Sequence, residues 1–309
     1  MPFFSIIIPT YNRAGFIAKA IQSLLNQTFS DFELIIIDDA STDETADIVA
    51  SFTDVRIKYI KNEQNLERCK SRNKGIAISQ GLYIGFLDSD DYHLPQHLEI
   101  LHQEIQERNK PEALFFTNAW NSNDGIKLYE RDCPKLLIED SVYDYIARYT
   151  FNPQRMCIHR NILKQFQFDP EVYVCEDLDL AARIATKYPI IQIAKRTTVY
   201  VYHLDSFTGG DSRKSFKELE NYERIFLKPE LHKRFSPSSI RRLKSMCYFH
   251  ISLYYETHRQ VWNMYKAILK SLLLFPKGYN GKTNKILFVA ILYNVPIMGY
   301  IIEKIKQWK

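Results

Sequence analysis

The chain has 309 residues, 46% of them hydrophobic, and a net charge of +5. That length and apolar content supply a sizeable core, in one large domain or two smaller ones. Five cysteines (Cys69, Cys133, Cys157, Cys175, Cys247) show no CxxC spacing, which argues against a disulfide scaffold or a zinc site and fits reduced thiols in a cytosol. The net charge hides an asymmetry. Residues 1–212 carry 22 Lys and Arg against 30 Asp and Glu, a balance of −8, and residues 213–309 carry 19 against 6, a balance of +13. Two parts of the chain therefore face different partners.

The amino end opens directly on a strand-like run at Phe3 to Ile8, so no cleaved leader is expected. Ser5 to Ile8 is a short continuous apolar stretch, the pattern of a strand buried on both faces, and it is predicted to end in a turn at Pro9 to Arg13. Ile17, Ile21, Leu24 and Leu25 then recur at helical spacing. Glu33 to Ile37 predicts a second buried strand ending in Asp38-Asp39. Ser41 and Glu44 have the spacing of a capping box for a helix through Ile48 and Val49. Val55 to Ile60 alternates like a more exposed strand, and a helix with Arg72, Asn73 and Ile76 is predicted to end near Gly81.

The next apolar run, Tyr83 to Leu87, is too short for a helix and ends in three carboxylates within four residues, Asp88, Asp90 and Asp91. One reading is a solvated acidic turn, or a cap for the helix bearing Leu98, Leu101 and Ile105. The other is a cation site, because clustered carboxylates repel one another and hard divalent ions relieve that repulsion. Ala113 to Phe116 predicts a further strand.

Alternating strands and helices predict an α/β fold with a mostly parallel sheet and right-handed crossovers. Ligands of such sheets bind outside the carboxyl ends of the strands. Pro9 to Tyr11, Asp38-Asp39 and Asp88 to Asp91 all fall there. Neither GxGxxG nor GxxxxGK[ST] follows any strand, so the usual dinucleotide and P-loop signatures are missing.

Ser5 to Arg13 (SIIIPTYNR), Ile37 to Asp43 (IDDASTD), Arg72-Asn73 and Phe86 to Asp91 (FLDSDD) resemble the successive motifs of family 2 glycosyltransferases. The resemblance covers residues 3–210 and implies a GT-A, Rossmann-like fold, a nucleotide-diphosphate sugar donor and inversion at the anomeric carbon. It implies that Pro9, Thr10, Tyr11 and Asp39 hold the nucleoside, with Arg72 as a cation reaching the nucleotide. Asp39 suits a ring N–H of uracil or guanine, and Tyr11 suits packing on the base. Asp90 is implied as a ligand of Mn2+ or Mg2+, with Asp88 on the ribose or on a metal-bound water. Asp91 reads as a third carboxylate or as a helix cap.

A second acidic element spans Val174 to Arg183. Leu180, Ala181 and Ile184 share a helical face, which puts Glu176 and Asp177 in the first turn. Capping, the helix dipole and an Asp179–Arg183 pair account for acids there. The resemblance implies more: Asp177 matches the family's general base, with Glu176 the fallback. His203 follows an alternating strand, Val199 to Tyr202, and reads as structural or, by the resemblance, as a group reaching metal or diphosphate. Between Asn118 and Phe168 the pattern is irregular. Trp120, Asn121 and Arg155 there fit packing, surface or acceptor-lining roles.

From Ser215 on, the chain is helical in period and dense in cations and aromatics, with Trp262, Tyr265 and Leu269 on one predicted face. Residues 286–302 are apolar, interrupted by Asn294 and Pro296 and flanked by lysines, which is marginal for a span and fits an interfacial anchor. A +13 segment is attracted to anionic lipid; a soluble helical cap with a basic surface is the alternative. No nucleic-acid module accompanies the charge. The sequence thus predicts a catalytic domain over 1–212 and a helical, basic, membrane-associated region over 213–309. The expected activity is glycosyl transfer to a glycan or lipid-linked acceptor in the cytoplasm, at the inner membrane face. Two other classes compete. A nucleotidyltransferase would carry an early Gly-rich phosphate loop where this chain has Pro9 to Arg13. A non-catalytic membrane-bound module would not need intact acidic motifs.

Overall fold

The first apolar run becomes β1 (Phe4–Thr10), buried at every residue but Pro9, and it pairs in parallel with the wholly buried β2 (Phe32–Asp38). The structure, a computed structural model, describes residues 1–275 except 124, 138–139, 150, 173 and 204–213. Between these strands α1 (Ile17–Leu25) buries Ile17, Ala20, Ile21 and Leu24 at the predicted spacing. Then follow α2 (Thr45–Ala50), β3 (Ile57–Lys61), α3 (Glu67–Ile78), β4 (Tyr83–Phe86), β5 (Tyr92–His93), α4 (His97–Glu107) and β6 (Leu114–Ser122). After β7 (Tyr129–Glu130) come α5 (Val142–Arg148), β8 (Met156–His159), α6 (Arg160–Leu163), α7 (Glu176–Ile184) and β9 (Ile190–Val201).

Among the described residues the sheet has nine strands in the order β3-β2-β1-β4-β8-β6-β9-β5, with β7 on β6. Strands β3, β2, β1 and β4 run parallel, and so does the β6–β9 pair. Strand β8 lies antiparallel between β4 and β6. One face, with Ile6, Ile8, Leu34 and Ile36, packs on α1 and on Leu98, Leu101 and Ile105 of α4. Helix α3 covers the other face, where a Cβ on Gly75 would meet Ile7 at 2.6 Å. This glycine is what lets α3 lie close to the sheet.

Two local expectations are corrected and a third is met. Pro9 and Thr10 lie inside β1, not in a turn; they pair with Ile37 and Asp38. Pairing of β1 with β4 ends at Ile7, so the N–H that Pro9 lacks faces no partner strand. The Ser41–Glu44 capping box does not form. Glu44 makes no side-chain cap, because Ser41 is buried with its hydroxyl accepting the Asn12 N–H at 2.9 Å. Asp43 instead accepts the Thr45 N–H at 3.1 Å. Helix α3 ends at Ile78, near Gly81 as expected. Gly81 is needed for close approach, since its Cβ would meet the Ser5 nitrogen at 2.4 Å.

The chain divides into two compact units, Met1–Gly210 with Leu227–Arg234, and Asp211–Phe226 with Phe235–Lys309. The described part of the second contains α8 (Lys214–Leu227) through Phe226, α9 (Pro237–Thr257) and α10 (Val261–Leu274). Helices α9 and α10 exchange hydrogen bonds between Ser245 and Ser271, each hydroxyl donating to the other's carbonyl at 2.9 and 2.8 Å. The expected anchor at 286–302, and residues 205–210 after His203, lie outside the described residues. Among the described residues no helix is long and apolar enough to cross a membrane.

Gly81→Ala is expected to destabilise the fold by about 1–3 kcal/mol through overpacking. Gly15, whose Cβ would meet nothing within 4 Å, is the control. Thermal melts should show a lowered Tm for Gly81→Ala and an unchanged one for Gly15→Ala.

Candidate active site

The carboxyl ends of β1, β2 and β3 are laced together by short polar side chains. Asn12, held at a left-handed φ of 50°, accepts the Thr42 N–H at 2.8 Å through its side chain. Asp38 is consumed structurally: it accepts the Ser41 N–H at 2.8 Å and the Tyr59 hydroxyl at 2.5 Å. Asp39 is buried, and its Oδ1 accepts from Asn62 Nδ2 at 2.7 Å and from the Leu66 N–H at 2.9 Å. Its Oδ2 has no hydrogen bond among the described residues. Thr10 is buried, while Tyr11 is 44% exposed beside it. The ring is available for a flat ligand.

Strand β4 delivers the acidic turn. Arg72 of α3 is buried, and its Nη2 donates to Asp88 Oδ1 at 2.7 Å while its Nη1 donates to Glu176 Oε1 at 2.9 Å. The guanidinium lies 5.2 Å from the centre of the Phe168 ring. Asn73 fixes that residue by donating to the Phe168 carbonyl at 2.8 Å and accepting its N–H at 3.0 Å. Both hydrogen bonds that the Arg72 guanidinium makes here go to carboxylates. Burial pushes Asp88 up, and Asp90 adds to that, while Arg72 counters it.

Cys175, at a left-handed φ of 68°, turns the chain sharply into α7, a strained conformation for a residue with a side chain. The first turn presents Glu176 and Asp177, both buried. Burial pushes Glu176 up, but Arg68 and Arg72 overcome it and hold the carboxylate below its usual range. Asp177 has no such cation as its dominant neighbour. Burial, then the Glu176 charge, push it up to about 6. Two adjacent acids therefore differ in proton affinity, a pattern that separates a permanent anion from a proton acceptor.

Asp90 Oδ2 lies 3.1 Å from His203 Nε2 and 3.9 Å from Arg13 Nε. The His203 ring stacks on Phe16 at 4.3 Å. Asp91 does not cap α4, whose first turn is preceded by Gln96. It is buried instead, accepting the Val201 N–H at 2.8 Å and Gln154 Nε2 at 2.5 Å. Burial and the charges of Asp90 and Asp88 push its carboxyl well up. Asp91 thereby ties the acidic turn to the end of β9, two residues before His203.

Among the described residues no three His, Cys, Asp or Glu side chains form a metal cage. Asp90 and His203 do present an oxygen and a nitrogen side by side. Mg2+ and ions like it are commonly held by one or two carboxylates and completed by phosphate oxygens and water. The Asp90 carboxylate fits that mode of binding, with the His203 nitrogen beside it.

On the side of β6, Arg155 is buried and donates from Nε to the Thr117 carbonyl at 2.7 Å. Arg196 lies 5.5 Å from the Trp120 ring. Asn121 Oδ1 is buried with no hydrogen bond among the described residues. Asn62, Gln154 and Lys228 were missed in the sequence. Asn62 had a signal, since it follows β3 directly. Gln154 sits in an irregular stretch and had none. Lys228 returns from the helical part of the chain and donates to Asp179 Oδ1 at 2.6 Å and Asp169 Oδ2 at 2.7 Å. Asp179, fully buried on α7, also pairs with Arg183 Nη2 at 2.7 Å.

The model of the family "Glycosyl transferase family 2" matches residues 5–169. A GalNAc(5)-diNAcBac-PP-undecaprenol beta-1,3-glucosyltransferase of Campylobacter jejuni is 29% identical over 99% of this chain and 97% of its own. The crystal structure of S. aureus TarS residues 1–349 with UDP-GlcNAc aligns with a TM-score of 0.62 at 20% identity, covering 89% of this chain and 82% of that one. The mannosyltransferase PcManGT of Pyrobaculum calidifontis, in complex with GDP-Man and Mn2+, aligns with a TM-score of 0.58 at 15% identity, covering 97% and 82%. The chain belongs to glycosyl transferase family 2, is a glycosyltransferase, and has the GT-A fold of these structures.

Lys228→Met leaves the buried Asp179 with Arg183 alone. Because Asp179 keeps Arg183, the loss is that of one charge-assisted hydrogen bond, about 1.5–3 kcal/mol. The urea midpoint should fall by a matching amount at constant m-value.

Proposed function

We propose that this family 2 glycosyltransferase inverts a UDP- or GDP-sugar onto a hydroxyl of a lipid-linked glycan, working peripherally at the cytoplasmic membrane face. The observation that carries the mechanism is the contrast between Glu176, held anionic by two arginines, and Asp177 beside it, raised to about 6. The lipid-linked acceptor is supported by the activity in the name of the C. jejuni relative, which aligns over nearly the whole chain. The donor class is supported by the UDP-GlcNAc and GDP-Man complexes of the structural neighbours.

In this reading Tyr11 packs on the base and Asp39 Oδ2 accepts a ring N–H, with Pro9 and Thr10 shaping the backbone beside them. Asp88, fixed by Arg72, faces the ribose or a metal-bound water. Arg72 serves the nucleotide through Asp88. Asp90 and His203 hold a divalent cation, Mn2+ or Mg2+. When bound, that ion neutralises charge on the departing diphosphate. Asp177 accepts the proton of the acceptor hydroxyl as its oxygen bonds to the anomeric carbon. The bond from that carbon to the diphosphate breaks on the opposite face, and the electron pair leaves with the nucleoside diphosphate. The proton rests on Asp177, and the new glycosidic bond has the opposite anomeric configuration to the donor.

A raised carboxyl serves as a base only when ionised. Transfer should therefore fall about tenfold per pH unit below about 6 and level off above it. Asp177→Asn should keep donor binding and lower kcat by about 10²–10⁴-fold. A donor at 100 times its Kd stabilises the native state by about 2.7 kcal/mol, so thermal shift with nucleotide sugars and Mn2+ reads binding without turnover. Asp90→Ala should abolish the Mn2+-dependent part of that shift. Full transfer by Asp177→Asn would remove it from the mechanism.

A further inference from the structure

Helix α10 is apolar on two sides. Met264, Ala267, Ile268 and Ser271 form its buried side. Residues spaced by three or four along a helix share a face, and Trp262, Lys266, Leu269 and Leu273 recur at that spacing on the opposite side. There Trp262 is 80% exposed, Leu269 56% and Leu273 73%. The predicted face of Trp262, Tyr265 and Leu269 is thus divided, since Tyr265 packs partly against Met264 and Ile268. Single exposed apolar residues need no explanation, but three large ones in one stripe mark a surface made for a partner.

The surrounding charge identifies the partner. Lys266 and Lys270 are exposed along the stripe. From His258 to the end of the chain, nine Lys and Arg stand against one acid, Glu303. A Trp and leucines between cations suit the boundary of an anionic bilayer, where apolar side chains enter the headgroup region and ammonium groups meet lipid phosphate. A protein partner with an apolar groove would be served by the leucines but gives no reason for so one-sided a charge.

We propose that the outer face of α10, built on Trp262, Leu269 and Leu273 and rimmed by Lys266 and Lys270, is the surface by which this chain docks on anionic lipid. The proposal deepens the membrane-proximal reading above by naming the contact. It predicts a helix lying in the plane of the interface.

The test is flotation of the full chain with vesicles of phosphatidylcholine, with and without phosphatidylglycerol, lacking any glycan acceptor and any donor. The outcome is therefore independent of whether the acceptor and donor assignments hold. Wild type should partition at least about tenfold more strongly onto the anionic vesicles. The triple variant Trp262→Ser/Leu269→Ser/Leu273→Ser, with unchanged Tm and circular dichroism, should lose at least about tenfold of that partitioning. The milder Lys266→Glu/Lys270→Glu pair should remove the preference for anionic lipid. A Leu269→Cys thiol should react quickly with a maleimide in free protein and slowly on anionic vesicles. Flotation of the triple variant like wild type overturns the proposal. So does slow labelling in free monomeric protein, which would mean that the chain covers this face itself. A wild-type dimer that the triple variant converts to monomer also overturns it, because the stripe would then be a self-association surface.

Discussion

One buried cation organises the carboxyl end of the sheet around the candidate site. Arg72 is taken out of water by α3 and β4, and a buried guanidinium is tolerated only when paired. It has two partners, Asp88 at the end of β4 and Glu176 at the start of α7. These carboxylates come from elements nearly ninety positions apart, and both depend on the same group. The consequence reaches Asp177. Burial raises the Asp177 carboxyl first, and the neighbouring Glu176, held as an anion by Arg68 and Arg72, raises it further. A single guanidinium thus fixes the carboxylate at the end of β4 and shares with Arg68 in keeping Glu176 anionic beside the proposed base.

The other acids are divided by the same logic of who already has a partner. Asp38 is spent on Ser41 and Tyr59, and Asp91 on Val201 and Gln154. Asp39 retains one oxygen, and Asp90 is left facing His203 and Arg13. Acidic residues clustered at strand ends are therefore not equivalent. Those with both oxygens occupied by protein donors hold the loops together. Those with an oxygen to spare are suited to a ligand.

Much of this was legible in the sequence because strand burial and strand ends leave strong marks. Apolar runs at Ser5 to Ile8, Glu33 to Ile37 and Tyr83 to Phe86 can be little else, and the residues just beyond each run lie at the ligand-binding edge. The helical spacing around Leu180 likewise placed Glu176 and Asp177 in one first turn. Partner choice was not legible. Asp91 looked like a cap because helix α4 comes after it, but its real partners are 63 and 110 residues away. The Asp88 and Glu176 partners of Arg72 belong to distant elements and left no mark beside it. Ser41 and Glu44 had the spacing of a capping box, yet tertiary packing drew the Ser41 hydroxyl to Asn12. Gly81 carried a helix-stop signal, while its requirement is close approach to β1. Local patterns report local energies, and each miss is a place where a tertiary partner outcompeted one.

Asp88, Arg72 and Glu176 act as one electrostatic unit, and a double-mutant cycle measures this directly. Unfolding free energies of wild type, Arg72→Met, Glu176→Gln and the double variant should be compared by urea denaturation. Residues in one buried ion network show coupling of about 0.5–3 kcal/mol. Coupling within that range is expected here, with Glu176→Gln offsetting part of the cost of Arg72→Met because it removes a buried charge that Arg68 alone would have to balance. Additive costs would contradict a shared network, and would mean that the two side chains merely lie near each other.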